Sequence, residues 1–165
     1  MNELNSKGCE AVLARNGVGR LGCYSPADRQ VYVVPVSYDY HDGSIFLSSI
    51  NGEKVEYLRA HPDGVCFEVD EVDEALNWSS VIAQGDFEEL QGSERLAAKP
   101  AALKRAERGP MHWIFDPDVP ERARDSMVIG AIRIRDVSGR RERWSWERRV
   151  PLPLSFRGDP VAQPD

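Results

Sequence analysis

The sequence predicts a mainly β fold with peripheral helices, a six-stranded antiparallel closed or split β-barrel. Two observations favour this architecture. Apolar residues alternate with polar residues along several short runs, as in Val65–Val72, where Val65, Phe67 and Val69 share one face. Most of these runs are joined by connections of hairpin length, which favour antiparallel pairing over a doubly wound parallel sheet.

Capping and turn residues set the elements expected in the first half of the chain. Asn5 or Ser6 is expected to cap a first helix, and the Asn16-Gly17 pair is expected to end it. The elements expected next are strands at Val18–Tyr24, Val31–Tyr40, Ile45–Ser49 and Val65–Val72, a hairpin turn at His41–Ser44 and a short helix at Lys54–Ala60.

The second half is predicted to add a longer helix and further strands. Pro100 is expected at a break in that helix or at a new first turn, because its ring blocks helical hydrogen bonding. Residues 1–150 are predicted to form one domain and residues 151–165 an extended tail. The expected elements are a strand at Trp78–Leu90, a helix at Ser93–Arg108, an irregular segment at Gly109–Asp125, a strand at Met127–Arg135, a turn at Asp136–Gly139 and a last strand at Arg140–Arg149.

Composition narrows the class of protein. A formal charge of −6 over 165 residues disfavours a general nucleic-acid binder, which would carry a basic surface. Met1–Lys7 lacks the apolar segment of a signal peptide, and no apolar run approaches the ~20 residues that a membrane span needs. We therefore expect a cytoplasmic protein whose three cysteines are reduced, with Cys23 and Cys66 filling the core.

Charge is distributed unevenly along the sequence. The segment Glu68–Glu89 holds eight acidic residues and no lysine or arginine, whereas Arg133–Arg149 holds seven arginines. The simplest interpretation is two solvated faces, which a dimer could bring together.

Two segments could hold a phosphorylated ring. Val34, Pro35 and Val36 lie in a predicted strand whose proline cannot donate a ladder hydrogen bond, so the strand suits either an opening for a ligand or a protective edge. Ser48, Ser49 and Lys54, with Gly52 between them, offer phosphate donors at the start of a helix; an ordinary strand-to-helix turn is the alternative.

A third segment, Trp78-Ser79-Ser80-Val81, could cover the ring and the phosphate tail, or its tryptophan could simply complete the core. Together the three segments suggest a bound flavin. No metal site is expected, because His41, His61 and His112 show no metal-ligand spacing.

Five motifs occur in order between Leu4 and Leu90, with a weaker continuation through Ile132–Arg140. The motifs are GRLG (Gly19–Gly22), VYVVPVSYDY (Val31–Tyr40), IFLSSINGEKVEYLRAHP (Ile45–Pro62), VCFEVDEV (Val65–Val72) and WSSVIAQGDFEEL (Trp78–Leu90). In this order they resemble the pyridoxamine 5′-phosphate oxidase-like FMN-binding split barrels, in particular the nitroimidazole-resistance (Nim-type) branch.

The resemblance implies a split barrel of the FMN-binding type, assembled as a homodimer with two FMN sites at the interface. The strand with Val34, Pro35 and Val36 would line the ring. The other cofactor-binding residues would be Ser48, Ser49 and Lys54 at the phosphate end, with Trp78, Ser80 and Val81 completing the pocket. The implied activity is an FMN-dependent oxidoreductase that reduces a small organic substrate, with nitro compounds among the candidates, using NADH or NADPH.

Two departures from the family pattern bear on function. Many Nim-type relatives have a histidine near the position of Ser48, and its absence weighs against nitro reduction. Trp144, Trp146, Arg148 and Arg149 only loosely match the substrate-binding pattern of pyridoxamine phosphate oxidases, so vitamin B6 oxidation is not expected. A flavin- or haem-binding module without fast turnover, or a bare dimeric interaction domain, are the alternatives.

Overall fold

The structure, a computed structural model, describes residues 2–143 apart from 26, 28, 75 and 109–114. The predicted tail at 151–165 and the segment from Trp144 to Arg149 lie outside these residues. The described elements are β1 (Asn2–Glu3), α1 (Ser6–Arg15), β2 (Val18–Ser25), β3 (Gln30–His41), β4 (Ser44–Ser49), α2 (Glu53–Ala60), β5 (Val65–Val72), β6 (Trp78–Glu89), α3 (Gly92–Arg108), α4 (Arg122–Asp125) and β7 (Val128–Glu142).

The strands form one antiparallel sheet that closes on itself. The hydrogen-bonded order is β1-β7-β4-β3-β2-β5-β6, and β6 also pairs with β7. The long strand β7 therefore joins β4 to β6 and completes a ring of six strands, while β1 adds to β7 alone. This arrangement confirms the predicted six-stranded antiparallel barrel, and it places β3 and β6 on opposite sides of the ring.

The inner faces of the strands build the core. Val65, Phe67 and Val69 are buried as their alternation predicts. Phe67 packs edge-to-face against Tyr38 with ring centroids 5.0 Å apart, and the Tyr38 hydroxyl donates to the carbonyl of Leu13 at 2.7 Å. This hydrogen bond ties α1 to the barrel interior, since an unpaired buried hydroxyl would be costly.

The first helix begins and ends where the sequence predicts. Asn5 is its N-cap, and its side-chain oxygen accepts a hydrogen bond from the Gly8 amide at 2.9 Å. The helix buries Cys9, Val12 and Leu13 in the core.

The predicted turn at Asp136–Gly139 is wrong, because β7 continues through it. These four residues pair with Gln84 to Val81 of β6. Gly139 serves packing rather than chain reversal, since a Cβ there would lie 2.8 Å from the sulfur of Cys9. Long-range pairing with β6 thus overrides a local sequence pattern that is typical of turns.

Three further expectations need correction. Pro100 lies inside α3 rather than at a break, and because it has no N–H, the carbonyl of Leu96 lacks its usual helical partner. The segment expected to be irregular contains the short helix α4, while its residues 109–114 lie outside the described part. Cys66 is exposed on the outer face of β5 and fills no core position, whereas Cys23 is buried.

The acidic and basic segments meet within one chain. Arg133 and Arg135 of β7 bond Glu88 and Asp86 of β6 at 2.8 Å and 2.7 Å. Pairing of β6 with β7 places these charges side by side, so this part of the charge asymmetry needs no dimer. In the described part of the chain, no helix has both the length and the apolar character needed to cross a bilayer.

A glycine is required where β6 and β7 change register. Gln84 pairs with Asp136 and Gly85 with Ile134, which leaves Arg135 as the extra residue of a β-bulge. A Cβ on Gly85 would overlap the backbone carbonyl of Arg133 and lie 2.9 Å from the Ile132 side chain. The backbone of β7 cannot move away from this added Cβ without losing hydrogen bonds to the neighbouring strands.

We expect the substitution Gly85→Ala to lower the free energy of unfolding by about 1–3 kcal/mol, the usual cost of overpacking. Gly17→Ala is the control, because no atom lies within 4 Å of a Cβ at Gly17. Urea unfolding of both variants checks the difference. Equal stability of Gly85→Ala and wild type would contradict the bulge geometry.

Candidate functional site

The outer face of β3 and β4 carries both polar and apolar side chains beneath α3. Val36 and Tyr38 of β3 are buried, so Pro35, Ser37 and Asp39 point to the opposite face. On β4, burial of Ile45, Leu47 and Ser49 directs Phe46 and Ser48 to that same outer face.

Helix α3 packs over this face through a second apolar cluster. Ala102 and Ala106 of α3 are buried with residues of β7 such as Ile129, and Phe46 packs against them. The helix leaves two openings, a small pocket of about 120 Å³ and a larger cleft of about 510 Å³. Arg105 of α3 lines both openings.

The small pocket brings together four of the predicted cofactor-binding residues: Pro35, Val36, Ser48 and Lys54. Ser37, Arg105 and Ala106 also line it, and sequence analysis did not single them out. The alternation along β3 could have indicated Ser37, which lies two residues after Pro35. No local signal indicates Arg105, because its place depends on how α3 packs.

The polar groups of this pocket suit an anion. Lys54 is half-buried in the first turn of α2 and has no ion-pair partner among the described residues. The hydroxyls of Ser37 and Ser48 make no hydrogen bond within the described part of the chain either. Two hydroxyls and two cations, Lys54 and the Asp39-paired Arg105, line this pocket, and they are donors of the kind that a phosphate requires.

A hydrogen-bond network holds the segment that precedes Lys54. Arg59 donates from Nε and Nη2 to the two carboxylate oxygens of Glu89, at 2.7 Å and 3.0 Å. Its Nη1 donates to the side-chain oxygen of Asn51 at 2.8 Å. Arg59 thus fastens α2 and the turn before it to β6.

Two of the predicted cofactor-binding residues, Ser49 and Val34, lie next to pocket residues in sequence but do not line the pocket. Ser49 is 1% exposed and its hydroxyl donates to the carbonyl of Ile50 at 2.7 Å. Val34 is half-buried and packs against the barrel core.

The remaining predicted residues lie across the barrel on β6. Val81 is fully buried in the core, Trp78 is half-buried, and the Ser80 hydroxyl donates to Glu68 at 2.9 Å. Ser80 lines a separate surface pocket of about 480 Å³ with Leu4, Ile82 and others. One protomer therefore does not bring these residues to Lys54.

Arg105 is the buried cation of the region. Its side chain is 8% exposed and forms an ion pair with Asp39, its one hydrogen-bond partner among the described residues. The Nε of Arg105 is buried without a partner. Burial lowers the pKa of the Arg105 guanidinium, and the charge of Asp39 partly opposes that shift.

Two buried titratable groups of the barrel, Cys23 and Tyr38, are unsuited to covalent chemistry. Burial raises the pKa of the Cys23 thiol, although the positive charge of Lys54 opposes the shift. Burial also raises the pKa of the Tyr38 hydroxyl, which is already bonded to Leu13. The site provides binding groups rather than a nucleophile.

Comparison with known proteins gives a family match and close structural likeness. The profile of the family described as pyridoxamine 5′-phosphate oxidase matches residues 5–141. An uncharacterised protein of Rhizobium meliloti is 29% identical over 86 residues, which span 52% of this chain and 55%, about half, of that protein.

Two crystal structures extend the comparison. An FAD-binding protein of Mesorhizobium loti is 32% identical, with a TM-score of 0.68 over 86% of this chain and 98% of its own. A Bacteroides thetaiotaomicron protein assigned to 5-nitroimidazole antibiotic resistance is 17% identical, with a TM-score of 0.63 over 84% of this chain and 86% of its own. The second likeness shows a shared fold.

The Arg59–Glu89 pair leads to a pH-dependent prediction. The hydrogen bond from Arg59 is the largest cause of a lowered pKa at Glu89 in the folded protein. Its stabilising contribution is therefore complete above about pH 4.3, the ordinary value of a free glutamate, and is lost as the pH falls through the lowered folded value.

We expect Glu89→Gln to unfold at lower urea concentration than wild type at pH 7, and the gap to shrink as the pH falls below about 4. Urea unfolding between pH 3 and pH 7 measures this. Glu107→Gln, at an exposed position of α3, is the control and should shift stability by less than about 0.5 kcal/mol at any pH. A gap independent of pH would contradict the ion-pair role.

Proposed function

Because this chain belongs to the pyridoxamine 5′-phosphate oxidase family, we propose that it binds FMN in the Lys54 pocket and acts as a flavin-dependent oxidoreductase. The observation that carries the proposal is the convergence of Pro35, Ser48 and Lys54 on one small pocket. The Mesorhizobium loti protein, 32% identical to this chain, is described as FAD-binding, which supports a flavin as the cofactor class.

The residues that line this pocket of about 120 Å³ fit the phosphate end of a flavin. Lys54 would hold the phosphate by a charge-assisted hydrogen bond, with the hydroxyls of Ser48 and Ser37 as further donors. Pro35 would offer an apolar wall to the ring, together with the backbone at Val36, whose side chain is buried in the barrel core. Arg59 would keep Lys54 in place through its bonds to Glu89 and Asn51.

When bound, the flavin would supply two-electron transfer from NADH or NADPH to a small organic substrate, with nitro compounds among the candidates. The protein would then bind the flavin and the substrate, orient them and shield them from water. That division suits a pocket that holds cations and hydroxyls but no activated nucleophile.

We further propose a homodimer with two cofactor sites at the interface. Trp78 and Ser80 lie across the barrel from Lys54, so one protomer cannot supply both sides of the pocket. In a symmetric dimer, β6 of the partner could complete each site. Size measurement in solution tests this assembly, and a monomeric flavin-loaded protein would contradict it.

The absorbance spectrum of the purified protein tests the cofactor. We expect flavin bands, and release of FMN on heating as identified by mass spectrometry. A colourless protein that takes up no added FMN would contradict the proposal, and a Soret band would favour the haem-binding alternative.

We expect Lys54→Ala to weaken FMN binding by about 1.5–3 kcal/mol, roughly 10-fold to 150-fold in Kd, which is the range for a charged hydrogen bond. Lys7→Ala is the matched control, since Lys7 is exposed on α1 and does not line the pocket. Quenching of flavin fluorescence measures both affinities. Equal affinities of Lys54→Ala and Lys7→Ala for FMN would show that Lys54 does not bind the cofactor.

A further inference from the structure

The cleft beneath α3 has the size of a small-molecule site. Its volume of about 510 Å³ falls within the ~300–1,000 Å³ typical of such sites. It adjoins the Lys54 pocket, because Arg105 lines both. A molecule in the cleft would therefore lie next to whatever occupies the Lys54 pocket.

The walls of the cleft are largely apolar. Phe46, Leu90 and three small residues of α3 line it, and the guanidinium of Arg133 lies 5.9 Å from the centre of the Phe46 ring. The small residues are Ala97, Ala98 and Ala101. An aromatic ring and small alanine side chains in one cleft leave room for a flat apolar group.

Arg105 is the most buried of the charged side chains that line the cleft, which also include Asp39, Glu94 and Arg133. The Arg105 side chain is more than nine-tenths buried, and Nη1 is engaged by Asp39. The other edge of the guanidinium, formed by Nε and Nη2, makes no hydrogen bond to a described residue, and Nε is buried without a partner. A planar carboxylate matches two parallel N–H donors of this kind.

Asp39 does not satisfy the Arg105 guanidinium fully. Its side chain is 54% exposed, so water competes for its carboxylate while the guanidinium stays buried. An anionic ligand would share Arg105 with Asp39 or release Asp39 to solvent. Either way the buried donors would gain the acceptor that they lack.

We propose that this cleft binds an aromatic carboxylate as the organic substrate. Its carboxylate bonds the Nε–Nη2 edge of Arg105, and its ring packs between Phe46 and the alanines of α3. The assignment as substrate rests on the proposed function, because it places the electron-carrying cofactor in the adjoining pocket. The claim that the cleft binds an aromatic carboxylate rests only on the residues that line the cleft.

Isothermal titration of the purified protein with 4-nitrobenzoate and 4-nitrobenzamide tests the inference. The two probes share size and ring but differ in charge. We expect wild type to bind 4-nitrobenzoate tenfold or more tightly than 4-nitrobenzamide. Equal affinities, or no binding of either probe, would overturn the proposal.

Three variants test whether Arg105 causes the preference for the carboxylate. Arg105→Gln should remove the preference for the carboxylate, and Asp39→Asn should strengthen carboxylate binding several-fold by removing a competing anion. Lys104→Gln removes the same charge from an exposed position next to Arg105 and should keep the wild-type preference. If Arg105→Gln fails to fold in a thermal melt, Asp39→Asn decides the outcome alone.

Flavin content separates this inference from the proposed function. Loss of bound flavin in Arg105→Gln, with the carboxylate preference intact, would assign Arg105 to the cofactor phosphate and overturn the inference. A wild-type protein without flavin that still prefers 4-nitrobenzoate would refute the proposed function and support the binding site.

Discussion

Closure of the barrel by β7 is the constraint on which the rest of the structure depends. Its first residues pair with β4, and Gly130–Glu142 pairs with β6, so the strand is bonded on both sides where the two ladders overlap. Glycines allow this, because Gly130 lies against the Phe87 ring and Gly85 lies against the backbone at the bulge. A shift of one residue would exchange inner and outer faces along the whole strand.

The candidate site follows from that closure. Pairing of β7 with β4 orients Phe46 and Ser48 outward, and the outer faces of β4 and β7 provide the apolar surface on which α3 packs. The position of α3 then determines where Arg105 is buried and how much space remains below the helix. The Lys54 pocket and the adjoining cleft are therefore two parts of one groove between helix and sheet, with a single buried cation between them.

Sequence patterns predicted the structural features that depend on residues close together in the chain. Most strands and helices were correct because alternation and capping act over a few residues, and Pro35, Ser48 and Lys54 share a pocket because β3, β4 and α2 are consecutive. The turn expected at Asp136–Gly139 failed because pairing with β6 decides that conformation. Arg105 escaped prediction because Asp39 lies 66 residues away and only packing of α3 brings the two together.

A crystal structure of the protein saturated with FMN tests the central claim most directly. The account predicts the phosphate at Lys54 and Ser48, the ring along Pro35 and Val36, and β6 of a partner protomer closing the site. Flavin density confined to the surface beside Ser80 and Leu4, or to the cleft below α3, would contradict it.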